Sequence, residues 1–220
     1  MRTRFDAELT RLHENLVEMG KLCEKSIQAA MNSLFNHDQQ EAKDVHLIEQ
    51  DINQLQRVVI GQCLKLLLEQ QPVASDLRAI SAGMQMSADL ERIGDYAEDV
   101  ADMTRFINND ELLSQTRLRE MADTACRMVT DSVKAFTTDD AGLAKEIMAR
   151  DDAVDADFAR IRHFMADAIT GGLAQDESFI DIMMISKYLE RVADHAVNIC
   201  EDVVYSVTGK MIKDSDLTEE

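Results

Sequence analysis

Four stretches of this sequence place two oxygen-bearing side chains four residues apart: Glu49 with Asn53, Glu91 with Asp95, Asp151 with Asp155, and Glu190 with Asp194. Residues four apart on a helix share one face, so each pair offers two oxygen ligands side by side. Two such helices packed together would converge four. At ~5 Å and an effective dielectric of ~20, each like-charge pair costs about 3 kcal/mol. That repulsion, with desolvation, would open the bundle or put protons on the acids unless a cation relieves it. Hard cations prefer carboxylate ligands, so a bound metal is one reading. Structural ion pairs with Arg92 and Arg191 are a second, and solvated acidic faces a third. Recurrence at four related places raises the metal reading to equal standing with the structural ones. Glu98, Asp99 and Asn198 are weaker candidates beside these faces.

Other chemistry is poorly represented. His13, His37, His46, His163 and His195 form neither His-Glu-x-x-His nor Glu-x-x-His, and read as surface or core residues; only His195, beside Asp194, adjoins an acidic pair. The 13 methionines fall at helical spacing and read as core filler. Cys23, Cys63, Cys126 and Cys200 stand far apart, with no Cys-x-x-Cys, and read as reduced core thiols. Gly171–Gly172 is a helix end and not a phosphate loop. No serine or cysteine has a nucleophile's setting, and no catalytic residue is assigned.

The elements that must position these acids occur twice. A shift of 102 places Leu16 on Leu118, Met19 on Met121, Asp38 on Asp140 and Lys43 on Lys145. Beyond Pro72 the shift becomes 99, placing Ser87 on Ser186, Glu91 on Glu190, Arg92 on Arg191 and Asp95 on Asp194. Each copy carries three helical patterns. In the first copy they run through Phe5, Leu9, Leu12, Leu16, Met19 and Cys23, then Val45, Ile48, Ile52, Leu55 and Val59, then Leu77, Ile80, Met84 and Ser87. The third stripe turns acidic midway, at Glu91, Asp95 and Glu98. In the second copy Ile147, Asp151, Val154, Phe158, Ile161 and Met165 form one stripe with an acid inside it.

Turns separate the patterns at Asn36–His37–Asp38, Gln70–Asp76, Asn108–Asp110, Thr137–Asp140 and Gly171–Gly172, and Ser75 or Asp76 is placed to cap the third helix. The expected fold is all-α: two tandem, repeat-related three-helix bundles with six long helices of roughly 25 to 35 residues. Residues 1–108 and 109–210 are the repeats, and 211–220 a polar tail.

Composition agrees. Hydrophobic residues are 45% and aromatics 5%, with one proline and eight glycines, which favours long helices over sheets. With 42 acids against 23 bases the net charge is -19, so nucleic acid and anionic lipid are disfavoured as direct partners. Acid excess suits cations or a basic partner surface. No charged-then-apolar leader or membrane-length apolar run is present, and the expected location is the cytoplasm.

The stretch Gln71-Pro72-Val73-Ala74-Ser75-Asp76-Leu77-Arg78, followed by Asp89-Leu90-Glu91-Arg92-Ile93-Gly94-Asp95, resembles the signature of the PhoU family of phosphate-transport accessory proteins. Leu189-Glu190-Arg191-Val192-Ala193-Asp194, with Asn198-Ile199-Cys200-Glu201 after it, is similar to that family's second repeat. The resemblance implies a non-enzymatic regulator that damps phosphate-starvation signalling, with two multinuclear metal sites, iron among the metals. It implies Glu49, Glu91 and Asp95 in the first site, and Asp151, Asp155, Glu190 and Asp194 in the second. Asn53 stands where the full motif has an acid, which removes a charge, and Ala193 replaces the glycine seen as Gly94. Partners implied are the phosphate ABC transporter and its sensor histidine kinase, with membrane contact only through them and a homodimer left open. The rival readings are a carboxylate-bridged di-metal oxidase or ferroxidase, which normally uses Glu-x-x-His, and a metal-free helical scaffold.

Overall fold

The computed structural model describes residues 2–69, 72–107, 109–172 and 177–212, and every regular element among them is a helix. The first repeat holds α1 (Arg2–Asn36), α2 (Gln39–Glu69) and α3 (Ala74–Thr104). A short α4 (Asp110–Ser114) leads to the second repeat: α5 (Leu118–Thr137), α6 (Ala141–Met148), α7 (Asp151–Thr170) and α8 (Ser178–Thr208). Of the expected turns, residues 70, 71 and 108 lie outside the described residues, as do 213–220 of the tail.

Local sequence dictates the helix ends. His37 (φ 53°) and Asp139 (φ 52°) are repeat images, and both take the left-handed conformation that stops a helix. The next residue starts the following helix in each copy. Asp38 Oδ1 accepts from the Gln40 N–H at 2.8 Å, and Asp140 Oδ1 from the Leu143 N–H at 2.9 Å. Pro72 precedes α3, whose Asp76 carboxylate accepts from the Val73 N–H at 3.4 Å. Gly209 (φ 73°) closes α8 by donating to the Tyr205 carbonyl at 2.8 Å.

One expected helix is divided. The stripe from Ile147 to Met165 is broken between α6 and α7, where Arg150 N–H bonds the Ile147 carbonyl at 2.9 Å and Ala153 N–H bonds Arg150 at 3.1 Å. These three-residue closures overwind the chain for one turn. The Arg150 guanidinium grips Asp131 on α5, which pins the break, while Ile147 and Val154 on either side stay fully buried.

Packing follows the stripes. Leu12, Leu16, Met19 and Cys23 of α1 are fully buried, as are Val45, Ile52 and Val59 of α2. Helices α1, α2 and α3 form one bundle, and α5 to α8 the other. The two join through α3 against α8 and α1 against α5. Helices α3 and α8 run antiparallel: Arg78 Nε donates to the Ser206 carbonyl at 3.2 Å near one end, and Tyr96 stacks on Tyr188 further along. Ser87 and Ser186, repeat images, are buried and each bonds the carbonyl three residues back at 2.7 Å. All four cysteines are free and buried, and burial pushes their thiols up.

The third helix is not seated as its stripe suggests. Leu77 is half exposed at 49% and Met84 only partly buried. The buried face runs instead through Ile80, Met86, Leu90, Ile93, Ala97 and Val100. The line that ends in Glu91, Asp95 and Glu98 is therefore the edge of that face, where α3 meets α2 and water.

Candidate functional site

Two acidic seams result. In the first, α2 contributes Glu49 and Asn53, and α3 contributes Glu91, Asp95 and Glu98, with Asp99 more exposed. Side-chain exposures of 21% for Glu91, 31% for Asp95 and 32% for Glu98 place these carboxylates on a half-buried rim, neither in the core nor in bulk water. Asn53 Nδ2 donates to Glu49 Oε1. Arg92 Nη1 binds Asp95 at 2.9 Å, and its Nε lies 3.7 Å from Glu91.

The helices bring the acids within electrostatic reach of one another. Burial, then Glu98, Asp95 and Glu91, hold the Glu49 carboxyl above its ordinary range, with the Asn53 hydrogen bond opposing. Burial and Asp95 raise Glu91 against the pull of Arg92. Asp99 is raised by burial and by Asp95, Glu98 and Asp102.

In the second seam Glu190, 13% exposed, is bound by Lys187, whose ammonium also lies 5.3 Å from the centre of the Phe158 ring. Asp194 keeps an exposed edge, yet the protein around it removes enough water to raise its carboxyl. Glu190 adds to that rise, Lys187 opposes it, and Asp155 on α7 adds a further push. Asp155 is exposed and Asp151 half buried. Asn198 departs from the expectation: it donates to Asp89 on α3 at 3.3 Å and faces the other repeat.

The residue departures from the PhoU pattern have a steric reading. A Cβ on Gly94 would stand 2.9 Å from Ile52 Cδ1, so glycine there lets α2 close on α3. In the second repeat Ala193 replaces Gly94, and Val154 replaces Ile52, one methylene smaller; both are fully buried. The carbon gained on one helix is removed from the other.

Sequence reasoning missed His46. Its Nδ1 and Nε2 meet Glu98 at 2.5 Å and Asp102 at 3.4 Å, and the bond to Glu98 raises the imidazole above its ordinary range. The signal was the spacing His46-x-x-Glu49, which places an imidazole one turn before the first acid. Arg92 forms the ion pairs expected of it, whereas Arg191 crosses to α3 and donates to the Tyr96 hydroxyl at 3.2 Å.

No three His, Cys, Asp or Glu side chains among the described residues converge into a ready-made ligand set. The donors nonetheless fit a hard cation in kind. They are carboxylate and amide oxygens, mutually repelling, and already matched with whatever positive charge lies near: Arg92, His46 and Lys187.

The duplicated helical bundle and its two acidic seams define an all-α protein built of two related repeats. The PhoU domain family matches residues 16–104 and 118–203, one domain per repeat, and the chain belongs to this family. Among curated relatives, the phosphate-specific transport system accessory protein PhoU homolog of Pseudomonas aeruginosa is 32% identical over 98% of this chain and 90% of its own. The homologue from Synechocystis is 33% identical over 95% and 93%, and that from Clostridium acetobutylicum 30% over 96% and 98%. The crystal structure of PhoU from P. aeruginosa superposes with a TM-score of 0.84 at 33% identity, covering 94% of this chain and all of that one. The phosphate transport system regulatory protein PhoU from Streptococcus pneumoniae superposes at 0.85 with 27% identity, covering 95% of this chain and 99% of that one. Among the described residues no helix is long and apolar enough to cross a membrane.

Proposed function

We propose that this chain is a negative regulator of phosphate uptake and phosphate-starvation signalling, acting from the cytoplasm as a metal-binding adaptor between the phosphate transporter and its sensor histidine kinase. The observation that carries the reading is that relatives matched over nearly the whole chain are named accessory proteins of a phosphate-specific transport system.

Metal has a defined part in this reading. Glu49, Asn53, Glu91 and Asp95 would hold one ion or cluster, and Asp151, Asp155, Glu190 and Asp194 the other. A bound cation supplies the positive charge that these acids lack, and so ties α2 to α3 and α7 to α8. The first site, with Asn53 in place of an acid, is the weaker of the two.

Deleting the gene and following a phosphate-starvation promoter at high phosphate tests the regulatory role. Derepression is the expected result, and transcription unchanged from wild type would overturn it. Elemental analysis of the purified protein tests the metal separately.

A further inference from the structure

Helices α2 and α3 border a groove whose two halves differ in chemistry. On α3, Leu77, Met84, Glu91 and Glu98 follow one another at seven-residue intervals and so fall along one edge of the helix. On the antiparallel α2, Leu67, Leu64, Ile60, Asn53 and Glu49 share the facing edge, spaced by three, four or seven residues. At the apolar end Leu67, Leu77 and Met84 line an open groove of about 340 Å³. Leu64 and Leu77 are each 49% exposed, and Leu68, next to Leu67, is 83% exposed. Arg78, also on the groove wall, is held by the Ser206 carbonyl at 3.2 Å. At the other end Glu49 lies within electrostatic reach of Glu91, Asp95 and Glu98, and these acids are met by Arg92 and His46.

Duplication supplies an internal comparison. The repeat shifts send Ile60 to Arg162, Leu64 to Ala166 and Ala88 to Lys187, so the second repeat puts charge or a small side chain where the first is apolar. Lys187 is drawn onto Glu190 there. The exposed leucines of the first groove are therefore not demanded by the fold, and clustered exposed apolar side chains mark surfaces that another molecule covers. The chain's own last residues suit the groove poorly, since 213–220 carry Asp214, Asp216, Glu219 and Glu220 against Lys213.

We infer that the α2–α3 groove of the first repeat receives an amphipathic helix of a partner protein, apolar in one half and basic in the other. From Leu77 to Glu98 the groove edge runs about 30 Å, which a helix of roughly 20 residues matches. Its apolar side chains cover Leu64, Leu67, Leu77 and Met84, and its lysines or arginines face Glu49, Glu91, Asp95 and Glu98, which sets its direction. This surface belongs to the adaptor role proposed above and rests on that reading. The basic half meets the same oxygens that are the first seam's proposed metal donors, so partner and metal exclude each other there.

Fluorescence anisotropy of the purified full chain in chelating buffer tests it. The probe is a labelled synthetic helix of about 20 residues, with leucines on one face of its first half and lysines on the same face of its second. One saturable site per chain is expected, weakened roughly tenfold or more by Leu64→Glu and severalfold by Glu91→Gln with Glu98→Gln. Ala166→Glu, the image position in the second repeat, leaves binding unchanged. A peptide of the same composition with leucines and lysines mixed along its length binds roughly tenfold more weakly. Leu64 and Ala166 are both exposed, so neither variant disturbs the core. No saturable binding, equal binding of the mixed peptide, or indifference to Leu64→Glu would each overturn the proposal. So would light scattering that shows a dimer of the chain broken by Leu64→Glu, which makes a second copy the occupant. Any of these outcomes, with derepression on gene deletion intact, removes this surface and leaves the regulatory role standing.

Discussion

Asp89 on α3 and His195 on α8 are joined at 2.7 Å across the junction of the two repeats, and the duplication carries that contact onto a different one. A shift of 99 sends Asp89 to Tyr188, and the reverse shift sends His195 to Tyr96. Tyr96 and Tyr188 are stacked with ring centres 5.8 Å apart. A single pseudo-twofold relation between α3 and α8 explains why both pairs meet, although one is polar and the other aromatic. His195 also lies 5.6 Å from Tyr96, so the two contacts form one patch. Removing the imidazole with His195→Ala should cost about 1–2 kcal/mol. At roughly 2–4 °C per kcal/mol for a chain of this size, thermal melts should fall by a few degrees. A double-mutant cycle with Asp89→Asn measures the coupling, and strict additivity would show that the pair contributes nothing jointly.

The Gly94–Ile52 contact and its image Ala193–Val154 make a compensated exchange testable. Gly94→Ala gains up to about 1 kcal/mol of helix propensity but drives a carbon to 2.9 Å from Ile52 Cδ1. The single variant should be destabilised by about 1–2 kcal/mol overall. Adding Ile52→Val, which rebuilds the second repeat's combination, should restore most of the loss. Urea denaturation of the four proteins of the cycle checks this, and absence of rescue would rule out the steric account.

Asp202 on α8 gives a pH signature. Burial, with Asp89 and Glu201 nearby, pushes its carboxyl from an ordinary 3.8 up to about 7. Between those values the folded protein binds the proton that the unfolded chain has lost, so this group's contribution falls as pH rises through the window and is fully unfavourable above about 7. Asp202→Asn should therefore stabilise the protein at pH 8 by about 2 kcal/mol, allowing for residual solvent, and have little effect near pH 4. Melting temperatures across that range decide it; a constant difference would point to packing alone.

The seam acids predict opposite responses with and without metal. Glu49 is held above its ordinary range, so the chelated protein should gain stability from this group as pH falls from neutrality towards the carboxylate range. Glu49→Gln should flatten that dependence and at the same time weaken metal retention at the first seam. Glu190→Ala with Asp194→Ala should abolish metal at the second seam, read by elemental analysis. Full retention in that double variant would refute the ligand assignment.

Much of the fold was legible because local rules act within a few residues. Asp38 and Asp140 were readable as turn residues, and both cap the next helix. Apolar spacing on α1 marked Leu12, Leu16, Met19 and Cys23, and each is buried. The division at Arg150 was not readable, because the Asp131 that holds it lies on another helix. Leu77 and Met84 fitted the helical period yet sit at an edge, since periodicity gives spacing along a face but not where the face ends.

The sequence by itself determined a duplicated all-helical chain and the four spacings that put oxygen ligands in pairs, because backbone geometry converts a four-residue interval into a shared face. Only the tertiary structure decided that Glu49, Asn53, Glu91 and Asp95 lie on a half-buried rim while Asp155 is exposed. It also brought His46 to Glu98 and Asn198 across to Asp89. Those choices depend on the rotation and approach of one helix against another, which packing contacts such as Gly94 on Ile52 set and no single segment encodes.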